Sequence, residues 1–385
     1  MSSMVDKEGV VPEKKTYVYF ENLDGVRAIA AWLVVISHIE LHKIAIGLQP
    51  IEWVHSRLVG YVGVTIFFAL SGFLITYLLL AEKENFKKIN FKDFYIRRIL
   101  RIWPLYFLVV IVGFFIYPAQ GSTNALLLCV FFMPNLAFSL AMLPSIFDPI
   151  WSIGTEEQFY IFHPHVFRIK KTQNILYSLI GILFGLIAII AVIRIFQDHS
   201  VFLRELSEFF YFARFTNMIL GAIVAVLYYN TKHSLFKFKF QNLFNLIFNK
   251  YVQMCLFGAF IVLVLLFIKR EIPGGDLLMA LLASLLIVNL CETKSSIFVL
   301  NNSILKYCGK ISYGIYLMHK FPLFLMLYIV STYLSGTSVL LQNLIIYIAT
   351  PLLVIGLASI SYYGYERFFL RLKSRFQKVR QSKAA

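Results

Sequence analysis

Long apolar stretches separated by short polar loops dominate the pattern of this chain. Most of these stretches approach the roughly 20 residues that a membrane-spanning helix needs. Eleven of them can be marked on the sequence, near 24–46, 59–81, 98–117, 125–143, 150–167, 175–196, 208–229, 251–268, 276–291, 311–334 and 340–365. The pattern predicts an all-α, polytopic membrane protein.

One stretch is interrupted by residues that do not suit a lipid-facing helix. Residues 125–149 contain Pro134, Pro144, Asp148 and Pro149, which favour broken backbone packed against protein. If this stretch dips into the membrane and returns on the outer side, about ten helices cross and most loop lysines and arginines share one side. Cytoplasmic loops carry that excess of basic residues. We therefore expect about ten transmembrane helices, a re-entrant or broken outer segment near 125–149, and both termini in the cytoplasm.

Composition supports the membrane class. The 385 residues are 59% hydrophobic and 15% charged, whereas soluble domains are roughly 45–50% apolar and about 25% charged. The net charge of +16 is carried largely by short loops and the C-terminal stretch, as expected of topology signals. It therefore does not indicate nucleic-acid binding, and membrane lipids are the expected surroundings.

The chain divides into three parts. Residues 1–23 are expected to form a cytoplasmic N-terminal segment, 24–365 the transmembrane domain, and 366–385 a basic cytoplasmic tail. The cations of that tail are expected to be attracted to anionic lipid headgroups. The four cysteines have no metal-site spacing and are interpreted as reduced packing residues.

Two polar residues lie on one face of the first apolar segment. Eleven residues separate Arg27 from His38, and at 100° per residue such a spacing returns to within about 20° of the same face. The rise of roughly 16 Å places the guanidinium near one membrane surface and the imidazole near mid-depth. An ionisable residue inside a membrane indicates a functional site. His42, one turn beyond His38, shares this face and is its nearest competitor.

One further motif lies in the second apolar segment, and another lies at the start of the third. Ser71 and Gly72 are small residues that let a neighbouring helix approach closely. Arg97, Arg98 and Arg101 follow, and residues three or four apart share a helix face, so a pair of them could grip a diphosphate. The alternative for these arginines is cytoplasmic anchoring of the helix.

The string WSIGTEEQFY contributes two adjacent carboxylates, Glu156 and Glu157, one turn after Trp151 and Ser152. We expect these glutamates at an outer membrane edge, where packing alone does not explain them. They are candidates for binding or acid–base work.

Later segments carry isolated polar groups. Arg214 is a lone cation inside an apolar segment and must be paired, with one of the two glutamates, with Glu208 or with an anion of the substrate. Tyr313 and His319 lie in the string GKISYGIYLMHK and are candidate substrate contacts.

Taken in order, five strings resemble the acyltransferase 3 family of integral membrane acyltransferases. They are LDGVRAIAAWLVVISH, GVTIFFALSGFLIT, YIRRILRIWP, WSIGTEEQFY and GKISYGIYLMH, and they extend from residue 23 to residue 319. The resemblance implies about ten transmembrane helices in a bacterial cytoplasmic membrane. It also implies transfer of an acyl group, often acetyl, from cytoplasmic acyl-coenzyme A to a hydroxyl of a sugar or another cell-envelope acceptor.

The resemblance assigns residues as well. The family's essential histidine corresponds to His38, and the arginine eleven residues before it to Arg27. The family's paired arginines correspond to Arg98 and Arg101, or to Arg97 and Arg101.

The family's tryptophan–serine–glutamate motif falls on Trp151, Ser152 and Glu156. Thr65 stands where the second-helix pattern often carries an acidic residue, so a role for that carboxylate is absent here or supplied elsewhere.

The residues and the resemblance suggest one mechanism. The arginines, with Arg27, would hold the coenzyme A phosphates, and His38 would deprotonate the acceptor hydroxyl or first accept the acyl group itself. Glu156 would orient His38 or bind sugar hydroxyls, and Ser71 or Ser152 would donate to the developing oxyanion. Acyl-coenzyme A is the expected co-substrate, and no metal is expected. The expected substrate contacts are Trp151, Ser152, Glu157, Arg214, Tyr313 and His319.

A secondary transporter is the alternative, with His38, Glu156 and Arg214 as proton relay and substrate site. No internal repeat of the kind common in transporters is visible. An enzyme would consume acyl-coenzyme A and a transporter would not. The sequence leaves open the acceptor, the acyl group, the oligomeric state and whether acyl transfer crosses the membrane.

Overall fold

The computed structural model describes residues 16–51, 58–116, 122–269, 272, 274–377 and 379–380. Over these ranges the chain is almost entirely helical, which confirms the all-α prediction. The α-helices are α1 Leu23–Lys43, α2 Leu58–Phe86, α3 Phe91–Ile116, α4 Ser122–Val130, α5 Pro134–Ser139, α6 Ile150–Phe162, α7 Thr172–Phe196, α8 Val201–Ala213, α9 Phe215–His233, α10 Gln241–Asn245, α11 Lys250–Lys269, α12 Gly275–Cys291, α13 Ser303–Lys310, α14 Ser312–Met318, α15 Lys320–Tyr333, α16 Val339–Ser361 and α17 Arg367–Lys373.

Shorter elements connect them. The 3-10 turns are Ile44–Ile46, Ser145–Phe147, His163–Arg168, Gln197–His199, Leu246–Phe248 and Ser374–Phe376, and Tyr362–Glu366 forms a π-helical turn. Two strands of two residues each, β1 Thr16–Tyr17 and β2 Val379–Arg380, pair in parallel.

Seven helical stretches among the described residues are long and apolar enough to cross a membrane. They are Leu23–Ile46, Leu58–Phe86, Phe91–Ile116, Thr172–His199, Val201–His233, Lys250–Phe267 and Val339–Phe376. The pair α14 and α15 would make an eighth span, and α12 is a shorter apolar helix. An integral membrane protein is therefore confirmed, whereas ten crossings and cytoplasmic termini stay predictions.

Helix α2 forms the centre of the bundle. Of its apolar window 72% is buried inside the protein, compared with 6% for α7. It packs against α1, α9 and α12. A Cβ at Gly72 would overlap the main-chain carbonyl of Met218, and one at Gly221 would overlap that of Ala69. These glycines allow α2 and α9 to approach closely, as the sequence predicts for Gly72.

Three apolar stretches are broken. Residues 125–149 contain α4, α5 and a 3-10 turn rather than one long helix, as predicted, while their return on the outer side stays a prediction. The other two breaks were not predicted. Arg214 adopts a left-handed conformation, φ 43°, between α8 and α9, and α14 meets α15 at His319 with a bend of 49°.

The C-terminal residues fold back on α3. Arg97 donates to the carbonyl of Phe376 at 2.8 Å, and the hydroxyl of Tyr365 donates to that of Pro104 at 3.3 Å. Beyond α17, β2 pairs with β1. Much of the predicted basic tail is therefore packed on the helical domain. Residues 1–15 and 381–385 of the predicted terminal segments lie outside the described residues.

Candidate active site

Two histidines from distant parts of the chain form what we call the imidazole pair, His38 and His319. The Nδ1 atom of His38 lies 2.9 Å from Nε2 of His319. The Nδ1 atom of His319 lies 2.8 Å from the carbonyl oxygen of Tyr316. His319 is completely buried, at 0% exposure, whereas His38 is partly exposed.

These contacts assign the protons of the pair. A carbonyl oxygen can only accept, so Nδ1 of His319 carries the hydrogen and its Nε2 carries the lone pair. That lone pair accepts the Nδ1–H of His38. The lone pair of His38 is then on Nε2, and a neutral imidazole oriented in this way can take a proton from a hydroxyl.

The bend at His319 is held by the next residue. Lys320 is buried and its ammonium group donates to Asp148 at 2.8 Å and to the carbonyl of Ser145 at 2.5 Å. Ser145 begins the 3-10 turn that follows α5. The interrupted segment thus fixes the start of α15, and with it the orientation of His319.

His42 lies beside the pair. Its ring centre is 6.0 Å from that of His38 and 4.9 Å from that of Phe324. Its Nε2 atom is buried without a hydrogen-bond partner. His38, rather than His42, makes the contact with His319.

A second group of polar side chains surrounds Glu156. Ser71 donates to one carboxylate oxygen of Glu156 at 2.9 Å, and the hydroxyl of Tyr160 donates to the other at 3.0 Å. The indole of Trp103 donates to Glu157 at 2.8 Å. The second oxygen of Glu157 is buried without a partner.

Basic residues adjoin these glutamates. The guanidinium carbon of Arg98 lies 5.6 Å from the ring centre of Tyr160. Arg27 forms an ion pair with Asp24 at 2.5 Å and lies near both Tyr160 and Arg101. Arginines from α1 and α3 are therefore neighbours, as the arrangement predicted from the sequence requires.

Arg97 is directed elsewhere. It forms an ion pair with Glu82 at 2.8 Å and holds the C-terminal residues through the carbonyl of Phe376. Arg101 lies beside Arg27, and Arg98 lies beside Arg101 and Tyr160.

Sequence reasoning missed Lys373. This residue of α17 is 8% exposed and lies near the four arginines of α1 and α3. The sequence signal was the basic run RFFLRLK, but such runs usually indicate attraction to lipid. We call Arg27, Arg98, Arg101 and Lys373 the cation cluster.

The described contacts of Glu156 do not include His38, one of its predicted partners, whereas the outer-edge position of the two glutamates stays a prediction. Glu156 contacts Ser71 and Tyr160 instead, close to Arg98, and the described partner of His38 is His319. Ser71 is thus engaged with a carboxylate.

The other predicted substrate contacts lie between the two groups. The hydroxyl oxygens of Ser152 and Tyr316 are 2.7 Å apart. The carbonyl oxygen of Tyr316 accepts a hydrogen bond from Nδ1 of His319. Tyr313 donates to the carbonyl of Ile102 at 2.8 Å. Ser152 is thereby connected to the imidazole pair through one tyrosine.

Arg214 has an aromatic environment. Its guanidinium carbon lies 3.3 Å from the ring centre of Tyr61 and 5.8 Å from that of Trp151. None of the glutamates in the described residues forms an ion pair with it, although the sequence suggested such a pair. No group of three or more histidine, cysteine, aspartate or glutamate side chains in the described ranges is arranged to hold a metal ion.

Comparison with known proteins gives a family. A family model described as an acyltransferase domain matches residues 20–363. The chain is 28% identical over 333 residues to a putative O-acetyltransferase of Staphylococcus aureus strain COL, covering 78% of this chain and 50% of that protein. No solved structure matches.

Two further relatives have more specific names. The chain is 27% identical to a putative peptidoglycan O-acetyltransferase of Bacillus subtilis strain 168, covering 78% of this chain and 48% of that protein. It is also 27% identical to a peptidoglycan O-acetyltransferase of Listeria monocytogenes, with 78% and 49% covered. The chain spans about half the length of these relatives.

Proposed function

The chain belongs to the acyltransferase 3 family, and from this premise we propose a specific donor, acceptor and set of residues. The donor is acyl-coenzyme A, with acetyl as the acyl group. The acceptor is a hydroxyl of a cell-envelope glycan or lipid-linked sugar. The expectation of a glycan rests on the peptidoglycan O-acetyltransferases among the relatives.

One observation carries the proposal: helix α1 connects the cation cluster to the imidazole pair. Arg27 lies near Arg101, and His38, eleven residues later, contacts His319. Eleven residues of helix rise roughly 16 Å. Coenzyme A has its phosphates at one end and its thioester at the end of a long arm, so a cation site and a base separated in this way fit its two ends.

The cations have the chemistry that phosphates need. Arginine and lysine bind phosphate oxygens through charge-assisted hydrogen bonds, and arginine does so in a planar fork. Within the cation cluster, Arg98 stacks on an aromatic ring and Lys373 has no ion pair within the described ranges. These charges are available to a ligand that carries several negative charges.

The histidine supplies the base. Nε2 of His38 takes the proton of the acceptor hydroxyl while the hydroxyl oxygen bonds to the thioester carbonyl carbon. The carbon–sulfur bond breaks, coenzyme A leaves as a thiolate, and His38 returns the proton to sulfur. If the acyl group passes through His38, Nε2 first bonds to the thioester carbonyl carbon and the carbon–sulfur bond breaks, so that coenzyme A leaves as a thiolate. The acceptor oxygen then displaces the imidazole from the acyl group, and the hydroxyl proton passes to the thiolate. Both routes use Nε2 and both need His319 to hold the other nitrogen.

The test is release of coenzyme A from radiolabelled acetyl-coenzyme A by purified full-length protein, with and without cell-wall glycan. His38→Gln should lower the rate by about 10²–10⁴-fold, the usual contribution of a general base. His42→Gln is the matched control, because it removes an imidazole one turn away on the same face and should keep most of the activity.

Each outcome has a meaning. Loss of release in His38→Gln alone supports the proposal, and label bound to wild-type protein would favour the acyl-histidine route. Equal loss in both variants would contradict the role of His38. Folded wild-type protein that neither binds nor consumes acetyl-coenzyme A, with and without glycan, would favour the transporter.

A further inference from the structure

Arg214 is a buried cation that forms no ion pair with any aspartate or glutamate of the described residues. It is 6% exposed and lies between α8 and α9 in a left-handed conformation with φ 43°. Its guanidinium carbon is 3.3 Å, 5.7 Å and 5.8 Å from the ring centres of Tyr61, Tyr211 and Trp151. Aromatic faces attract a cation but do not neutralise its charge.

The hydrogen-bonding capacity of this guanidinium is largely unused. Its Nε donates to the carbonyl of Tyr211 at 3.4 Å, and its Nη1 is buried and has no hydrogen-bond partner in the part of the chain that the structure describes. No aspartate or glutamate of the described ranges forms an ion pair with it. A buried charge without a counter-ion is strongly destabilising, and within the described ranges this charge has none, so the guanidinium is able to bind an anionic ligand.

Two more donors without partners lie at the same end of the helices involved. One is the hydroxyl of Thr65, one turn beyond Tyr61 on α2, and the other is Nδ2 of Asn217, in the first turn of α9. Both are buried, and neither has a hydrogen-bond partner among the described residues. Helices α2 and α9 are in close contact. Unsatisfied buried polar groups are rare in folded proteins, and each of these three can donate a hydrogen bond.

This group is connected to the imidazole pair. Trp151, beside Arg214, precedes Ser152, whose hydroxyl is 2.7 Å from that of Tyr316. The carbonyl of Tyr316 binds His319, which in turn contacts His38. A molecule bound at Arg214 therefore lies beside Trp151, whose neighbour Ser152 begins the series of contacts that ends at His38, the proposed base.

We propose that Arg214, with Trp151 and Tyr61 around it, binds an anionic group of the acceptor, a carboxylate or a phosphate. The proposal rests on the proposed acyltransferase function and narrows its acceptor to an anionic sugar. A neutral acceptor would leave the guanidinium unpaired. A site with an unpaired buried charge discriminates strongly against such an acceptor and in favour of an anionic one. The reacting hydroxyl and the anionic group then belong to one acceptor molecule.

Thermal unfolding of the full-length protein in detergent tests this directly. The probes are glucose, sodium glucuronate and glucose 6-phosphate, at constant ionic strength and with saturating coenzyme A to occupy the cation cluster. One or both anionic sugars should raise the melting temperature of wild type more than glucose does. Stabilisation by glucuronate alone indicates a carboxylate, and stabilisation by glucose 6-phosphate indicates a phosphate.

Two variants locate the effect. Arg214→Gln should weaken binding of the stabilising sugar by about 10–100-fold, as expected for lost hydrogen bonds to a charged group. Arg194→Gln is the matched control, because Arg194 is exposed and its guanidinium lies 5.8 Å from the same Tyr211 ring. It should leave the stabilisation unchanged.

The proposal is overturned if neither anionic sugar exceeds glucose, or if Arg214→Gln responds as wild type does. Stabilisation by coenzyme A itself is measured in the same experiment. If coenzyme A does not raise the melting temperature, the proposed donor is contradicted, but the comparison of the sugars is unaffected. The two proposals can therefore fail independently.

Discussion

The imidazole pair and the cation cluster are two polar regions of this bundle, and they are built differently. The imidazole pair has two short contacts that define every proton on His319 and the donor on His38. The cation cluster gathers residues from α1, α3 and α17, with charges that repel one another. The first arrangement positions one atom, whereas the second concentrates positive charge.

Substitution of His319 is the largest expected change outside His38 itself. His319→Phe removes the acceptor for Nδ1–H of His38 and should lower kcat about 10–100-fold, as loss of an orienting partner typically does. His319→Gln retains a hydrogen-bonding group and should recover part of kcat. Steady-state kinetics with acetyl-coenzyme A measure both variants.

The KM for acetyl-coenzyme A separates positioning from general damage. It should stay within about twofold of wild type in both His319 variants, since the cation cluster is unaltered. A parallel rise of KM, or equal kcat in the phenylalanine and glutamine variants, would contradict the positioning role.

Arg98 and Arg97 test which arginine of α3 binds the donor, because only Arg98 belongs to the cation cluster. Arg98→Gln should raise the KM for acetyl-coenzyme A about tenfold with little change in kcat, because one charge-assisted contact to phosphate is lost. Arg97→Gln should lower the melting temperature instead, since Arg97 joins Glu82 to Phe376. Equal KM values for the two variants would show that the assignment of Arg98 is wrong.

Lys373 gives the smallest expected effect. Lys373→Gln should raise the KM for acetyl-coenzyme A about threefold to tenfold, because one charge-assisted contact to phosphate is lost while the arginines of the cluster keep theirs. Arg371→Gln, an exposed cation two residues earlier on α17, is the control and should behave as wild type. The same KM in both variants would exclude Lys373 from the donor site.

Helix periodicity predicted what lies within one element. The spacing of Arg27 and His38 predicted a shared face, and each residue contacts its own cluster along α1. The small residues Ser71 and Gly72 predicted the close approach of a neighbouring helix, which is α9. Such features depend only on local geometry and side-chain size, so the sequence was sufficient.

Contacts between elements were not predictable in the same way. The pairing of His38 with His319 joins residues 281 positions apart, and no local pattern marks it. The breaks at Arg214 and His319 lie in continuous apolar runs, where hydropathy gives no signal. Lys373 was assigned to a lipid-attracted tail because its burial arises from tertiary packing on α3.

The parallel pairing of β1 with β2 has a mechanical consequence. Tyr17 pairs with Arg380, and Thr16 with Val379, so a force pulling the two chain ends apart acts along the strands in opposite directions. The hydrogen bonds are then loaded together in shear rather than one after another. Extension of the molecule from its ends begins only when this pairing breaks, and the turn Ser374–Phe376, held by Arg97, is the next element on the C-terminal side.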